Sequence, residues 1–154
     1  MEELKKTMPN WLQEEVYRLY ESNIYAQYLG MKIVNLKPSE AVVSMKARKN
    51  LMNMLGVLHG GAITSLTDMV MSLACATVGK RIVTLGMNIN LIYAADLDSN
   101  VLALARVIHL GKTTLVVECR VVDSATHRLL AKGRGTFFIT SDVKRQSDES
   151  SDKA

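Results

Sequence analysis

Apolar positions recur along this chain with two different periods, and each change of period marks an element. Residues 9–29, PNWLQEEVYRLYESNIYAQYL, carry Trp11, Leu12, Val16, Leu19 and Tyr20 at helical spacing. Pro9 at the start and Glu14 and Glu15 in the early turns suit a helix N-terminus, and Gly30 predicts the end. MKIVNLKPSEAVVSMKAR then reads as two short strands joined by a turn at Lys37-Pro38-Ser39-Glu40. KNLMNMLG is a loop, and Gly61 to Val78 is a central helix, apolar enough to be buried and closed by Gly79. RIVTLGMNINLIY is strand-like, and Asp96 to Asn100 is a loop. VLALARVIHL and TTLVVECRVVD flank Gly111-Lys112, which predicts a two-residue hairpin. The turn SATHR leads into the last strand, LLAKGRGTFFIT. From Ser141 onward the chain is polar and aperiodic, with disorder expected.

Short links between the later strands predict antiparallel pairing. Leu129, Ala131, Gly133, Gly135, Phe137 and Ile139 share one face of the last strand, opposite Lys132, Arg134 and Thr136. Glycines on a covered strand face weaken it unless another backbone must come close. A sheet curled around an apolar helix supplies that reason, so the fold class is α+β. The division expected is an N-terminal helical segment (1–29), one main domain (30–140) and a polar tail (141–154).

Composition narrows the function classes. At 154 residues with 48% hydrophobic positions, the chain suffices for one domain with a core. A net charge of +4 suits anionic small molecules and falls short of the basic patch of a nucleic-acid binder. Cys75 and Cys119 both sit in apolar runs, which argues for packing thiols and a reducing cytoplasm over a disulfide framework. MEELKKTMPNW has no apolar core of a signal peptide. The segment from Met54 to Val78 is interrupted by His59, Gly60, Gly61, Asp68 and several hydroxyls, so it predicts no membrane span.

Candidate chemistry concentrates in LGVLHGGAITSLTDMVMSLA, residues 55–74. A helix N-terminus leaves backbone N–H groups unpaired and carries partial positive charge. Gly60 and Gly61 remove side chains there, so a ligand oxygen can reach the donors, an arrangement suited to a carbonyl becoming an oxyanion. A tight loop-to-helix turn is the alternative reason for two glycines. Asp68 lies eight positions beyond Gly60, about 12 Å along a helix. One reacting carbonyl cannot touch both within one chain, so a site using both takes Asp68 from a second subunit across a two-fold. A structural, hydrogen-bonded carboxylate is the other reading of Asp68, and a packed loop histidine is the other reading of His59. His109 and His127 stand singly, without metal-ligand spacing. There is no GxSxG elbow, P-loop or dinucleotide fingerprint.

The Asn53, His59-Gly60-Gly61 and Asp68 spacing, with VTLGMNINLIYAA and the terminal AKGRGTF, resembles the PaaI-type hotdog-fold acyl-CoA thioesterases. It is most similar to the branch named for thioesterase superfamily member 2, over roughly residues 30 to 140. The resemblance implies a hotdog fold: a curved antiparallel sheet wrapped around one long central helix. It also implies sites shared across a homodimer, within a homotetramer. The oxyanion-donor position falls on Gly60 and the base or nucleophile position on Asp68 of the partner subunit. His59 and Asn53 match the positions that shape the site. Thr84 matches a water-positioning serine, and Gly86 stands where close relatives are often acidic. Tyr93, Ala95, His109, Lys112, Thr113 and Thr114 match CoA-contacting stretches, with Gly61 beside them. Arg106, Lys132 and Arg134 are further candidates for the CoA phosphates, or simply a solvated strand face. The function implied is hydrolysis of acyl-CoA to CoA and a carboxylic acid, with no metal, cofactor, nucleic acid or membrane partner. A non-catalytic acyl-CoA-binding protein and a hydratase or dehydratase on the same fold are the competing readings.

Overall fold

The computed structural model describes residues 7–145. The predicted first helix is two helices, α1 (Asn10–Glu21) and α2 (Ile24–Leu29). Asn23 makes the break: its side chain accepts the Ala26 N–H and so caps a new helix, while Ser22 turns back to the Leu19 carbonyl. Gly30 ends α2 in the left-handed conformation at φ 70°, as its sequence position suggested.

Strands β1 (Met31–Lys37) and β2 (Glu40–Lys46) pair through the Pro38-Ser39 turn. Past a single 3-10 turn at Lys49–Leu51 comes the long helix, α3 (Gly60–Ala76). Strands β3 (Lys80–Leu91), β4 (Asn100–Leu110), β5 (Thr114–Asp123) and β6 (Leu129–Asp142) follow. The β4–β5 connection holds three residues where two were predicted, because a bulge beside His109 shifts the register and Gly111 N–H reaches the Thr114 carbonyl. β6 continues through Asp142, so the expected polar tail begins as strand. Val143 is buried, its N–H donating to the Gly79 carbonyl, and residues 146–154 and the first six lie outside the described residues.

All six strands are antiparallel in one sheet of order β1-β2-β4-β5-β6-β3, a hotdog arrangement with α3 against its inner face. The two glycines of β6 explain how close α3 comes. A methyl group on Gly135 would lie 2.9 Å from Met71 Sδ, and one on Gly133 would lie 3.4 Å from Thr67 Cγ2. Ala62, Ile63, Leu66, Thr67, Val70, Met71 and Ala74 thereby sink into the core. Thr67 hides its hydroxyl on the Ile63 carbonyl. Burial pushes both thiols, Cys75 and Cys119, up to about 12, which leaves neither as a thiolate near neutral pH.

Overpacking at this contact is the clearest stability test. Gly135→Ala is expected to lower the unfolding free energy by about 1–3 kcal/mol, because the new methyl meets Met71 and the Phe137 ring. Urea denaturation measures it; an unchanged midpoint would refute the close approach.

Candidate active site

α3 is not buried all round. Thr64, Ser65, Asp68 and Ser72 form a half-buried polar stripe on the face turned from the sheet. Their spacing follows the helical repeat, so Asp68 sits on an open face rather than in the apolar core. Its Oδ1 accepts the Thr84 hydroxyl at 2.9 Å. Thr84 and Gly86 lie exposed on β3, flanking a bulged residue, Leu85. A methyl on Gly86 would meet nothing within 4 Å.

At the other end of the stripe, His59 is the N-cap of α3. Its Nδ1 accepts the Gly61 N–H at 2.8 Å, and its carbonyl accepts the Ala62 N–H. That bond fixes Nδ1 as an acceptor, so a neutral His59 carries its proton on Nε2. Gly61 has a local reason to be glycine, since a methyl there would lie 3.0 Å from His59 Nδ1. Gly60 is different. Among the described residues its N–H makes no hydrogen bond, so it is the free donor at this helix end.

Asn53 shapes the loop ahead of the helix. Its Oδ1 accepts from Leu55 N–H at 2.9 Å and Val57 N–H at 3.2 Å, and its own N–H reaches the Val57 carbonyl. The side-chain oxygen is thus occupied in holding the loop. Ala95 is buried and its carbonyl accepts the Leu58 N–H, so it anchors the same loop through its backbone. Leu91 at the end of β3 closes over Gly60, with Cδ1 2.7 Å from where a Gly60 methyl would stand. Tyr93 is exposed just beyond, under the Arg128 guanidinium at 5.3 Å from its ring centre, a cationic neighbour that the sequence did not single out.

The candidate residues therefore form two groups in one chain. Asn53, His59, Gly60, Gly61, Tyr93 and Ala95 gather at the N-terminus of α3. Asp68, Thr84 and Gly86 lie further along α3 and toward the opposite end of β3. The register His109↔Val116↔Thr136↔Gly86 ties the β4–β5 hairpin to this second group, and Lys112 and Thr113 are exposed at its tip, next to Thr114.

Arg106, Lys132 and Arg134 lie elsewhere. Glu40, Arg106, Glu118 and Arg134 stand in one cross-strand row, and Arg134 binds Glu118 at 2.5 Å. The Arg134 hydrogen bond, helped by the charges of Lys132 and Arg106, holds the Glu118 carboxyl below its ordinary value. The solvated-face explanation of these cations fits that pairing. A cleft of about 500 Å³ opens on the same face, lined by Val42, Leu104, Arg120 and Lys132 among others, and includes none of the candidate catalytic residues.

A sequence profile of the thioesterase superfamily matches residues 55–130. Acyl-coenzyme A thioesterase 13 of Homo sapiens is 29% identical over 136 residues, spanning 86% of this chain and 97% of its own length. The 1,4-dihydroxy-2-naphthoyl-CoA hydrolase of Listeria monocytogenes is 30% identical over 113 residues, spanning 72% and 91%. Among solved structures, the Escherichia coli PaaI protein from the phenylacetic acid degradation operon superposes with a TM-score of 0.84 at 25% identity. It covers 88% of this chain and 98% of its own.

The N-cap separates structural from chemical roles for His59. His59→Ala is expected to lose about 1 kcal/mol of stability, while His59→Asn, a good N-cap, regains most of it. Chemical denaturation of the two variants checks this; equal losses would mean that the Nδ1 bond does not hold the helix end.

Proposed function

The chain belongs to the thioesterase superfamily and is an acyl-CoA thioester hydrolase, and we propose that its reaction centre is assembled from two copies of the chain. The observation that carries this reading is the free Gly60 N–H at one end of the α3 stripe and the Thr84-bound Asp68 carboxylate further along it. About 12 Å of helix separates them. A two-fold that sets the α3 helices antiparallel brings the Asp68 of one copy to the Gly60 of the other.

β3 supports the same dimer. Among the described residues it pairs only with β6, which leaves its other edge open, and Val83, Leu85, Leu91 and Ile92 are exposed on or just after it. A long apolar edge strand left uncovered invites pairing with another chain. Antiparallel pairing of two β3 strands covers both edges and builds two equivalent sites.

In each site the thioester carbonyl oxygen points at Gly60 N–H, where the helix terminus stabilises negative charge as it develops. Within the partner copy, Thr84 holds Oδ1 of its own chain's Asp68, which leaves Oδ2 for the reacting atom. As a general base, Asp68 takes a proton from water as the water oxygen bonds to the carbonyl carbon. The tetrahedral oxyanion then collapses, the C–S bond breaks, and the CoA thiolate takes up a proton. As a nucleophile, Asp68 instead forms an anhydride that water opens; the same oxygen serves either route. His59, with Nδ1 committed to Gly61, offers Nε2–H to the substrate, and Asn53 offers Nδ2. That commitment disfavours a hydratase, which needs a base for a β-hydroxyacyl group.

The CoA portion runs between Tyr93 of the Gly60 copy and His109, Lys112, Thr113 and Thr114 of the Asp68 copy. Lys112 meets the phosphates there as a point charge. We place the protein in the cytoplasm, where its two buried thiols stay reduced. The mixed apolar and charged outer sheet face is the surface on which two dimers join as a tetramer. Among the described residues no helix is long and apolar enough to cross a membrane.

Asp68→Asn keeps the side chain's shape and removes its base, so thioester hydrolysis is expected to fall by about two to four orders of magnitude. Free-thiol release from acyl-CoA measures this in protein whose circular dichroism is unchanged. Near wild-type turnover would remove Asp68 from the chemistry.

Mixing Asp68→Asn subunits with Gly60→Val subunits is expected to restore part of the activity, since one of the two sites in each heterodimer is intact. Proven heterodimers without activity would overturn the shared site.

A further inference from the structure

The proposed hydrolase leaves one question about its substrate: what receives the acyl group. α2 carries a cluster of exposed apolar side chains, Ile24, Tyr25 and Tyr28, on a helix of only six residues. Such a patch on a short surface helix is unusual for a side of the protein that meets only water. It is also tied to the site. The Tyr25 hydroxyl lies 2.7 Å from Ser65 Oγ, and Ser65 Oγ donates to the Gly61 carbonyl at 2.9 Å. With the Ser65 proton used on Gly61, Tyr25 is the donor to Ser65. The chain of bonds runs from α2 to the first turn of α3.

Ser65 belongs to the α3 stripe, between the Gly60 donor and Asp68. It stands five residues past Gly60, so about 7.5 Å along the axis. A second tie fixes α2 to the loop that precedes Gly60. Arg48 donates from Nη2 to the Tyr28 carbonyl at 2.7 Å, and its guanidinium packs over Gly30. α2 is therefore tied both to the first turns of α3 and to the segment that precedes it, while Ile24, Tyr25 and Tyr28 stay exposed. The exposed apolar residues at the end of β3 are taken by the subunit contact proposed above. Met54 and Leu55, on the loop before Gly60, also stay exposed, but Tyr25 of α2 is bonded directly to the α3 stripe and so stands beside the reaction centre.

We propose that α2 is the wall of the acyl-binding pocket and that Tyr25 is the residue that sets its depth. The proposal rests on the acyl-CoA hydrolase reading and names its acyl selectivity. With the carbonyl held at Gly60, a short acyl chain fits between the reacting carbon and the Tyr25 ring. A long one meets the ring, which its hydroxyl bond to Ser65 keeps from swinging aside. Beyond the ring, Ile24 and Tyr28 offer apolar surface that a longer tail reaches only once the ring has gone. Each additional methylene buried there is worth about fourfold in kcat/KM, from the usual transfer free energy of a CH₂.

The test compares wild type, Tyr25→Ala, Tyr25→Phe and Ser65→Ala across straight-chain acyl-CoA substrates from butyryl to palmitoyl, read as kcat/KM by thiol release. Tyr25→Ala is expected to raise the dodecanoyl-to-butyryl ratio by at least about tenfold, from two or more methylenes newly accommodated. Tyr25→Phe and Ser65→Ala, which keep the ring but free it, are expected to shift the same ratio in the same direction by a smaller factor. Tyr25 is more than half exposed, so its truncation spares the core, and the two milder variants stand if the alanine protein proves unstable. A ratio within about twofold of wild type in all three variants overturns the inference and leaves the hydrolase reading intact. So does a uniform fall in kcat for every chain length, which marks Tyr25 as a structural prop of α3. Failure of the wild-type protein to hydrolyse any acyl-CoA overturns the hydrolase reading and this inference with it.

Discussion

The approach of α3 to β6 is the contact on which the rest of the molecule depends. Gly133 and Gly135 leave room for Thr67 and Met71, and that contact fixes both the depth and the rotation of the helix. Once Thr67, Val70, Met71 and Ala74 face the sheet, the helical repeat dictates what faces away: Gly61, Thr64, Ser65, Asp68 and Ser72. The core and the candidate site are two faces of one element. A substitution that rotates α3 by a fraction of a turn disturbs both, so packing in β6 reaches the chemistry without touching it.

The N-terminus of α3 shows how a fold keeps one donor free. Four N–H groups at a helix start lack helical partners. Here His59 satisfies Gly61 through Nδ1 and both Ala62 and Ile63 through its carbonyl. Gly60 alone is left, in a position that Leu91 shields from the side and that no Cβ obstructs. The histidine that the sequence comparison placed among the residues shaping the site is thus the cap that leaves one donor available. The loop wound on Asn53 carries His59 to this capping position.

Much of this was legible before any coordinates. The glycines of β6, spaced two apart on the face that alternation assigned to the core, predicted a close neighbour there, and what fills the space is the ends of the Met71 and Thr67 side chains rather than helix backbone. The eight-residue spacing from Gly60 to Asp68 likewise separated the two groups from the start. What stayed hidden depended on side chains choosing backbone partners. Asn23 reads as one more polar position in a helical run, yet it caps α2 and breaks the run. Asn53 reads as a site residue, yet its oxygen holds the loop. The apolar character of residues 60–76 suggested burial all round, because the sequence average hides a polar stripe of only a few positions. Tyr25 gave no signal at all, since its partner, Ser65, is forty positions away and on a different helix.

The proposed dimer meets a geometric condition that its premises did not guarantee. If Asp68 of one copy faces Gly60 of the other across a two-fold, the axis passes beside Thr64, midway between them. The same operation carries Thr84, bonded to Asp68, to the Leu91 that covers Gly60, so the axis must also cross β3 between Met87 and Asn88. One axis can do both only if those two places are neighbours within the subunit. They are. A methyl on Gly133 would lie 3.2 Å from the Asn88 carbonyl oxygen and 3.4 Å from Thr67 Cγ2, and Thr67 is three residues, about 4.5 Å along the helix, from Thr64. In the proposed dimer, a single rotation that pairs β3 with β3 would then also deliver each carboxylate to the other copy's Gly60. A chain whose long helix and edge strand were centred apart could have formed either contact, but not a working site from both.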